Sequence, residues 1–367
     1  MGADALDLLR RLVSAALDAE EGRPVGPARL GEAEPRALLD VVRRHRVPEL
    51  LGSRAGELGL PAEVTAVLDA MVEGDRQRRL VHALETVRVE RLLDTAGIAS
   101  LVFKGVPLAV LTTGSADARG AGDVDVLVRP ADVASAHAVL TRAGWALHER
   151  GRVEPGMWAW RHVLRWGHSL TYLGPGVDVD LHWRLDAVPG AQPPAHALLA
   201  RRTTVEVGGA PVPTLAPVDA FHHLAGHREG WTWLRTLVDL RRLARDPAVF
   251  DRELTAPALT SLAAARASVG LPASVPPRVL AALDRVPDAA LARVRVTHEG
   301  AVGAFGGAGA VRELRHGLAS SRGPRDLGQV VMSAVLPAHA ALPVRSTTAW
   351  GGVPRALALR ARRLAGR

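Results

Sequence analysis

The sequence of 367 residues contains no cysteine and no asparagine, and it has one tyrosine and one lysine. Without cysteine the chain can form no disulfide, no thiol nucleophile and no thiolate metal site. All basic residues except Lys104 are arginines, a usage typical of GC-rich coding sequence. The lone lysine, between an apolar run and a glycine, is therefore a candidate for a specific role.

A long uninterrupted apolar segment is also absent. The most apolar stretch, residues 330–344, is broken by Pro337, His339 and Pro343, so it falls short of the roughly 18 residues that suggest a membrane-spanning helix. The first residues, "MGADALDLLRRLV", carry acidic groups where a signal peptide carries positive charge. We therefore expect a cytoplasmic protein without a transmembrane segment.

The basic excess belongs to the C-terminal part of the chain. The formal net charge is +8, and residues 293–367 contribute +9 of it, with 12 arginines against three acidic residues. The last 13 residues, "RALALRARRLAGR", have no wide apolar face. They are either a solvated tail or an electrostatic contact with RNA or another polyanion.

Hydrophobic periodicity divides the chain into three regions. Apolar residues at spacings of three and four predict helices in residues 1–96. In residues 97–190, "IASLVF", "DVDVLV", "HVLRW", "HSLTYLG" and "VDVDLHWRL" are interpreted as strands, and "PADVASAHAVLTRAG" as a helix. Residues 191–367 favour helices again, with a glycine-rich connection at residues 300–310. The pattern predicts an α/β (α+β) core between two helical regions.

Two of these strands place carboxylates on one face. Side chains alternate along a strand, so Asp123 and Asp125 point the same way, and so do Asp178, Asp180 and His182. Carboxylates this close repel each other unless a cation lies between them, and Mg²⁺ binds to one or two carboxylates plus substrate phosphates. The alternative is that these carboxylates line strand faces that are exposed to solvent. The presence of two such strands in one short region argues against this alternative.

The lone lysine follows the first predicted strand. Lys104 precedes Gly105, and Pro107 favours a helix start near that position. Glycine lets the backbone approach a phosphate closely, and the free N–H groups of a helix start attract anions. An ammonium group there is a point charge for phosphate.

Taken together, these motifs resemble the DNA polymerase β-like nucleotidyltransferase superfamily, and more closely a bacterial family of nucleotidyltransferases assigned by sequence. The matching elements are Lys104-Gly105 with Leu108, Arg119, "DVDVLV" from Asp123, and "DLHWRL" from Asp180. The later segment "FHHLAGHREGWTWLRTLVDLRRL" is also similar to that family. The chain departs from the superfamily in two respects: Val106 stands where glycine or serine is usual, and the spacer from there to Asp123 is longer than usual.

The resemblance implies a small mixed sheet as the catalytic core in residues 97–190. It implies transfer of a nucleoside monophosphate from an NTP to an acceptor, with release of pyrophosphate and with two Mg²⁺ ions, or Mn²⁺, as cofactors. Asp123 and Asp125 would ligate both metals, and Asp180 would complete one site and act on the acceptor hydroxyl. Lys104, Gly105 and Arg119 would bind the phosphates, although a salt bridge that braces the Asp strand is an equal interpretation of Arg119.

Two other functions stay open at this point. One is a catalytically inactive homologue that binds a nucleotide or a protein partner, and the other is a toxin-like enzyme that modifies tRNA. The acceptor is not determined by the sequence, because a catalytic core does not specify its acceptor pocket. His223 and His227 have the spacing of a helical metal pair but lack an obvious third ligand, and the tryptophans at 158, 160 and 166 are interpreted as packing residues.

Overall fold

The computed structural model describes residues 2–27, 35–120, 122–148, 153–188, 190–227, 231–299, 309–336, 344 and 346–364. The fold is mixed α/β, with helices around a small mixed sheet, as the sequence predicts. The helices are α1 Gly2–Glu20, α2 Pro35–His45, α3 Pro48–Ser53, α4 Ala62–Thr95, α5 Gly105–Thr113, α6 Val133–Arg142, α7 Trp158–Trp166, α8 Ala195–Ala200, α9 Pro217–Gly226, α10 Leu234–Leu243, α11 Ala256–Val269, α12 Pro277–Leu283, α13 Asp288–Glu299, α14 Gly309–Ser320, α15 Pro324–Val335 and α16 Ala349–Leu364. The strands are β1 Ser100–Phe103, β2 Val124–Val128, β3 Ala146–Leu147, β4 Ser169–Leu173, β5 Val179–His182, β6 Thr203–Val207 and β7 Ala210–Thr214. Short 3₁₀ turns cover Ala116–Ala118, Pro130–Asp132 and Pro247–Phe250.

Internal contacts divide the chain into two compact units, each built from three segments. Unit 1 comprises Met1–Val81, Val106–Ala121 and Pro217–Gly309, and unit 2 comprises His82–Gly105, Gly122–Ala216 and Ala310–Arg367. Unit 1 is helical, and α1 packs against α2 and α11 within it. The apolar residues Leu6, Leu9, Val13 and Leu17 recur along one face of α1 and are buried, which explains why this segment folds as an amphipathic helix.

Unit 2 contains the sheet, whose strand order is β1-β2-β5-β4-β3. The pair β2–β5 is parallel, and the other neighbouring pairs are antiparallel. Along β2 the alternate residues Val124, Val126 and Val128 are all buried. Alternating valines drive this strand into the core, so the intervening residues must lie on the opposite face of the sheet.

Three local expectations differ from the structure. The segment "HVLRW" is wrong as a strand, because it is the second half of α7. The buried residues of α7 follow a helical spacing that the five-residue window was too short to reveal; they are Trp158, Ala159, Trp160, His162 and Val163. Helix α5 begins at Gly105, two residues before Pro107, since a missing N–H is tolerated anywhere in the first turn.

The third difference is a β-hairpin in a region expected to be mainly helical. Strands β6 and β7 pair in antiparallel fashion around Gly208 and Gly209, whose φ angles are 58° and 78°. Two successive positive φ angles are the mark of a type I′ turn, which favours glycine and matches the twist of a hairpin. The Gly-Gly pair was therefore a usable sequence signal for this hairpin.

Within the described ranges, none of the helices combines the length and the apolar character needed to cross a membrane. The division into three consecutive regions and the cytoplasmic location stay predictions. Most of the glycine-rich connection, residues 300–308, lies outside the described residues. Helix α16 covers the basic tail up to residue 364, residues 365–367 lie outside the described part, and the contact of this tail with RNA stays a prediction.

Candidate active site

The carboxylates of the two Asp-rich strands meet because β2 and β5 are neighbours. In the parallel pair, Asp125 lies opposite Asp180 and Leu127 lies opposite His182. The backbone N–H of Val124 donates to the carbonyl of Asp178 at 2.9 Å, which continues the pairing at the start of both strands. This register places Asp125, Asp180 and His182 on the same face of the sheet.

These three residues form a cluster with the geometry of a metal site. One ligand atom from each of Asp125, Asp180 and His182 lies within 4.8 Å of the other two. Asp125 and His182 are buried, and Asp180 is half-buried. Among the residues that the structure describes, this is the group of acidic and histidine side chains whose ligand atoms lie close enough together to hold a metal ion.

His182 is held in one orientation by two acceptors. Its Nε2 lies 3.2 Å from Oδ1 of Asp125, and its Nδ1 lies 3.4 Å from the backbone carbonyl of Arg184. The ring of Phe103 packs edge-on against it at 5.0 Å between centroids. The shorter contact, between Nε2 and the carboxylate of Asp125, requires a proton on Nε2, which then donates to Asp125.

Asp123, just before β2, is electrostatically part of the same cluster. Its side chain stays accessible to solvent. Desolvation by the surrounding protein, followed by repulsion from Asp125 and Asp180, raises the pKa of Asp123 to about 6, and Lys104 and His182 offset part of this effect. Three carboxylates that repel one another and offer oxygen ligands fit a hard divalent cation such as Mg²⁺.

Lys104 lies beside the cluster in a strained backbone conformation. Its φ angle is 62°, in the left-handed region that L-residues rarely adopt, and Gly105 follows with a φ angle of 44°. The ammonium Nζ lies 3.6 Å from Oδ1 of Asp125 and 5.6 Å from the ring centre of Phe103. The turn therefore directs the single lysine towards the buried carboxylate, and α5 begins with its free N–H groups at the next residue.

Arg119 lies in unit 1, where its side chain is buried. Its Nε donates to Oδ2 of Asp239 on α10 at 2.8 Å, and Arg235 of the same helix donates from Nη1 to the carbonyl of Gly120 at 2.7 Å. Burial and the neighbouring Arg119 lower the pKa of Arg235 to about 9. These bonds fix residues 119–120, four and three positions before Asp123. A phosphate contact through the Nη atoms of Arg119 stays a prediction.

The structure also distinguishes two residues that the sequence left undecided. His182 joins the cluster, whereas Oδ1 of Asp178 accepts a hydrogen bond from the backbone N–H of Gly174 and so belongs to the turn between β4 and β5. His168 has no motif signal in the sequence, yet its ring packs 5.7 Å from that of His182. Burial and His182 hold the pKa of His168 well below its usual range, so it is neutral beside the cluster.

Replacing Asp123 by asparagine should raise the thermal stability of the metal-free protein at pH 8. The pKa of this carboxyl is about 6 in the folded state and about 3.9 in unfolded chains. The folded state therefore binds the proton more tightly, and the stability contributed by this group is lost as the pH rises from about 4 to 6. Solvent screening limits the gain in melting temperature to roughly 1–3 °C.

Thermal unfolding followed by circular dichroism at pH 8 and pH 4 measures this effect. The gain should shrink at pH 4, where Asp123 is protonated in the folded wild type. Asp178→Asn, whose carboxyl is bonded to Gly174, is the control and should show no such gain. A stabilisation of Asp123→Asn that is equal at both pH values would contradict the repulsion.

Comparison with known proteins and protein families identifies the family to which this chain belongs. No curated protein matches the chain. A family model described as an uncharacterised nucleotidyltransferase matches residues 31–272, which include every candidate site residue. The match spans 242 of the 367 residues, and the protein is therefore a member of this uncharacterised nucleotidyltransferase family.

Proposed function

We propose that the protein is a Mg²⁺-dependent nucleotidyltransferase that moves a nucleoside monophosphate from an NTP to an acceptor hydroxyl or phosphate. Family membership supports transfer of a nucleotidyl group in general. The observation that carries the finer proposal is the register of β2 and β5, which sets Asp125 beside Asp180 with His182 and Lys104 next to them. Such a cluster suits the charge of a metal-bound triphosphate.

The carboxylates have distinct roles in this proposal. Asp123 and Asp125 hold the metal ions, and Asp180 completes the set on the neighbouring strand. When bound, the divalent ions neutralise phosphate charge and lower the pKa of the attacking hydroxyl. His182 is a positioning residue, because its hydrogen bond to Oδ1 of Asp125 at 3.2 Å orients that carboxylate in the cluster.

Lys104 and the start of α5 are proposed to bind the phosphates. The ammonium lies 3.6 Å from Asp125, so a negatively charged triphosphate competes with that carboxylate for the same cation. The free N–H groups of the first turn of α5 supply further donors for phosphate oxygens. These groups hold the α-phosphorus in place and stabilise the charge that develops on the leaving pyrophosphate.

The chemistry balances without any further reagent. For a hydroxyl acceptor, the oxygen forms a bond to the α-phosphorus while the bond between that phosphorus and the bridging oxygen breaks. The electron pair leaves with pyrophosphate. The hydroxyl proton passes to a carboxylate, and Asp180 is placed for that task because it is half-buried and faces Asp125.

An inactive homologue that binds a nucleotide or a protein is the second candidate. The complete set of Asp123, Asp125 and Asp180 favours the enzyme, since a binding protein has no need to keep three mutually repelling carboxylates. The enzyme releases pyrophosphate from the NTP, whereas the inactive homologue does not, so pyrophosphate release distinguishes the two candidates. A toxin-like tRNA nucleotidyltransferase differs from the general enzyme only in its acceptor.

Asp125→Asn and Asp180→Asn should each lower nucleotidyl transfer by at least about 100-fold, because each removes a carboxylate ligand of the proposed divalent cation, whose charge offsets that of the phosphates. The assay incubates the four NTPs, labelled at the α-phosphate, with Mg²⁺ and cell extract, and follows both label transfer and pyrophosphate release. Asp178→Asn, two residues before Asp180 in the turn that precedes β5, is the matched control and should retain transfer. NTP binding without pyrophosphate release by the wild type would favour the inactive homologue. Equal transfer by all variants would refute the assignment of the cluster.

Lys104→Arg should fold normally and lose about tenfold in kcat/KM. It keeps the charge but replaces a compact ammonium by a planar guanidinium at a turn with a φ angle of 62°. Arg91→Lys, at an exposed position of α4, is the reverse exchange and should leave kcat/KM unchanged. Full activity of Lys104→Arg would remove the phosphate role from the lysine.

A further inference from the structure

Unit 1 contains a cavity of about 650 Å³ that the carboxylate cluster of unit 2 does not use. Residues from α1, α3, α4, the end of α5, the following turn and α10 line it. This volume falls within the range of pockets that hold small organic ligands, which usually are mostly apolar. Here the lining also carries hydroxyl and charged groups, and their hydrogen-bonding capacity determines the chemistry of a ligand.

Three of the four hydroxyl groups in the lining donate their protons within the protein, whereas the fourth, that of Ser115, accepts from the backbone N–H of Asp117. Thr112 donates to the carbonyl of Leu108 at 2.9 Å, and Thr113 donates to that of Ala109 at 2.8 Å. Ser53 likewise donates to the carbonyl of its own helix, at 3.0 Å. A hydroxyl whose proton is engaged keeps acceptor capacity. Ser53 and Thr112 therefore keep acceptor capacity towards the cavity, while Thr113 already accepts from the backbone N–H of Ser115 at 3.2 Å.

The arginines in the lining already have partner carboxylates. Arg242 and Arg245 both bind Glu20, at 2.6 and 3.0 Å, and Arg54 binds Glu57 at 2.7 Å. Burial alone would raise the pKa of Glu20, but the hydrogen bonds from the two arginines lower it overall. Glu21 lies 3.5 Å from Nε of Arg245 as well, so each arginine of the lining has a carboxylate partner before any ligand enters.

Glu49 is the carboxylate with the weakest compensation among the buried lining residues. Its side chain is 9% exposed, and its ion pair with Nη1 of Arg79 is long, at 3.4 Å. Arg79 directs its Nη2 to the carbonyl of Val72 at 2.6 Å instead. Burial raises the pKa of Glu49, and the neighbouring Arg79 and Arg235 offset only part of this effect. Asp69 and Asp117 add exposed carboxylates to the same lining.

The end of α5 adds to this negative character. Thr112 and Thr113 are the last two residues of that helix, and the C-terminal end of a helix carries a partial negative charge. The cavity therefore combines engaged hydroxyl protons, paired arginines, an incompletely paired buried carboxylate and a helix C-terminus. Each of these features favours a ligand that donates hydrogen bonds and carries positive charge.

From this arrangement we infer that the cavity binds a small organic cation that carries both ammonium and hydroxyl groups, of the amino-sugar class. The ammonium groups lie against Glu49 and the hydroxyls against the acceptors of Ser53 and Thr112. The protein has a formal net charge of +8, so general attraction of cations to the surface is unfavourable and binding requires a local site. The inference does not depend on the proposed function.

The test is isothermal calorimetry of the full chain, without NTP or divalent metal, using four probes. The glucosamine trimer carries ammonium and hydroxyl groups, its N-acetylated counterpart lacks the charge, maltotriose has hydroxyls only, and spermidine has ammonium groups only. The glucosamine trimer should bind with a stoichiometry of one. The acetylated trimer and maltotriose should bind at least about tenfold more weakly, and spermidine should be intermediate.

Variants locate the site. Glu49→Gln should weaken binding of the glucosamine trimer at least about tenfold, and Thr112→Val, which removes the hydroxyl at nearly constant shape, about threefold. Glu73→Gln, an exposed carboxylate of α4, and Asp180→Asn should both leave the affinity unchanged. If Glu49→Gln does not fold by circular dichroism, Thr112→Val decides the question. Equal binding of the acetylated trimer, wild-type affinity in the folded cavity variants, or no binding of either amine up to about 10 mM would overturn the inference.

Discussion

The candidate active site depends on one constraint, the parallel pairing of β2 with β5. Parallel strands have no short connection, and here the chain travels through α6, β3, α7 and β4 before β5 takes its place. The pairing sets Asp125 beside Asp180, and a shift of one residue would turn either carboxylate into the apolar core. The buried valines on the other face fix that register, because they have no favourable alternative position. Hydrophobic packing thus supplies the energy that holds mutually repelling groups together.

Those repelling groups are balanced by specific neighbours. Lys104 supplies a positive charge to Asp125 from a turn in the left-handed region, and His182 supplies a hydrogen bond from the neighbouring strand. Strained backbone at a cluster of charges is typical of functional sites, where the surrounding structure maintains a conformation that is unfavourable by itself. The survival of one lysine in an arginine-rich chain agrees with this interpretation, because a compact ammonium fits where the planar fork of arginine would need more room.

Local pattern was sufficient for part of this picture. The alternation of Asp and Val predicted β2 and β5 and the face that carries Asp123, Asp125 and Asp180. The contacts between distant residues were not predictable. Nothing in the sequence pairs His182 with Asp125, or Arg119 with Asp239 120 positions later, because these contacts depend on which elements pack together. The segment "HVLRW" shows the limit of short windows, since its helical period emerges only when Trp158 and Ala159 are included.

The central claim is that the cluster of Asp123, Asp125 and Asp180 holds the divalent metal of a bound nucleotide. The most direct measurement is anomalous scattering from crystals grown with Mn²⁺ and a non-hydrolysable NTP. The account predicts a manganese peak within coordination distance of Asp125 and Asp180, with the triphosphate next to Lys104 and the first turn of α5. A nucleotide bound elsewhere, or a manganese peak away from these carboxylates, would contradict it.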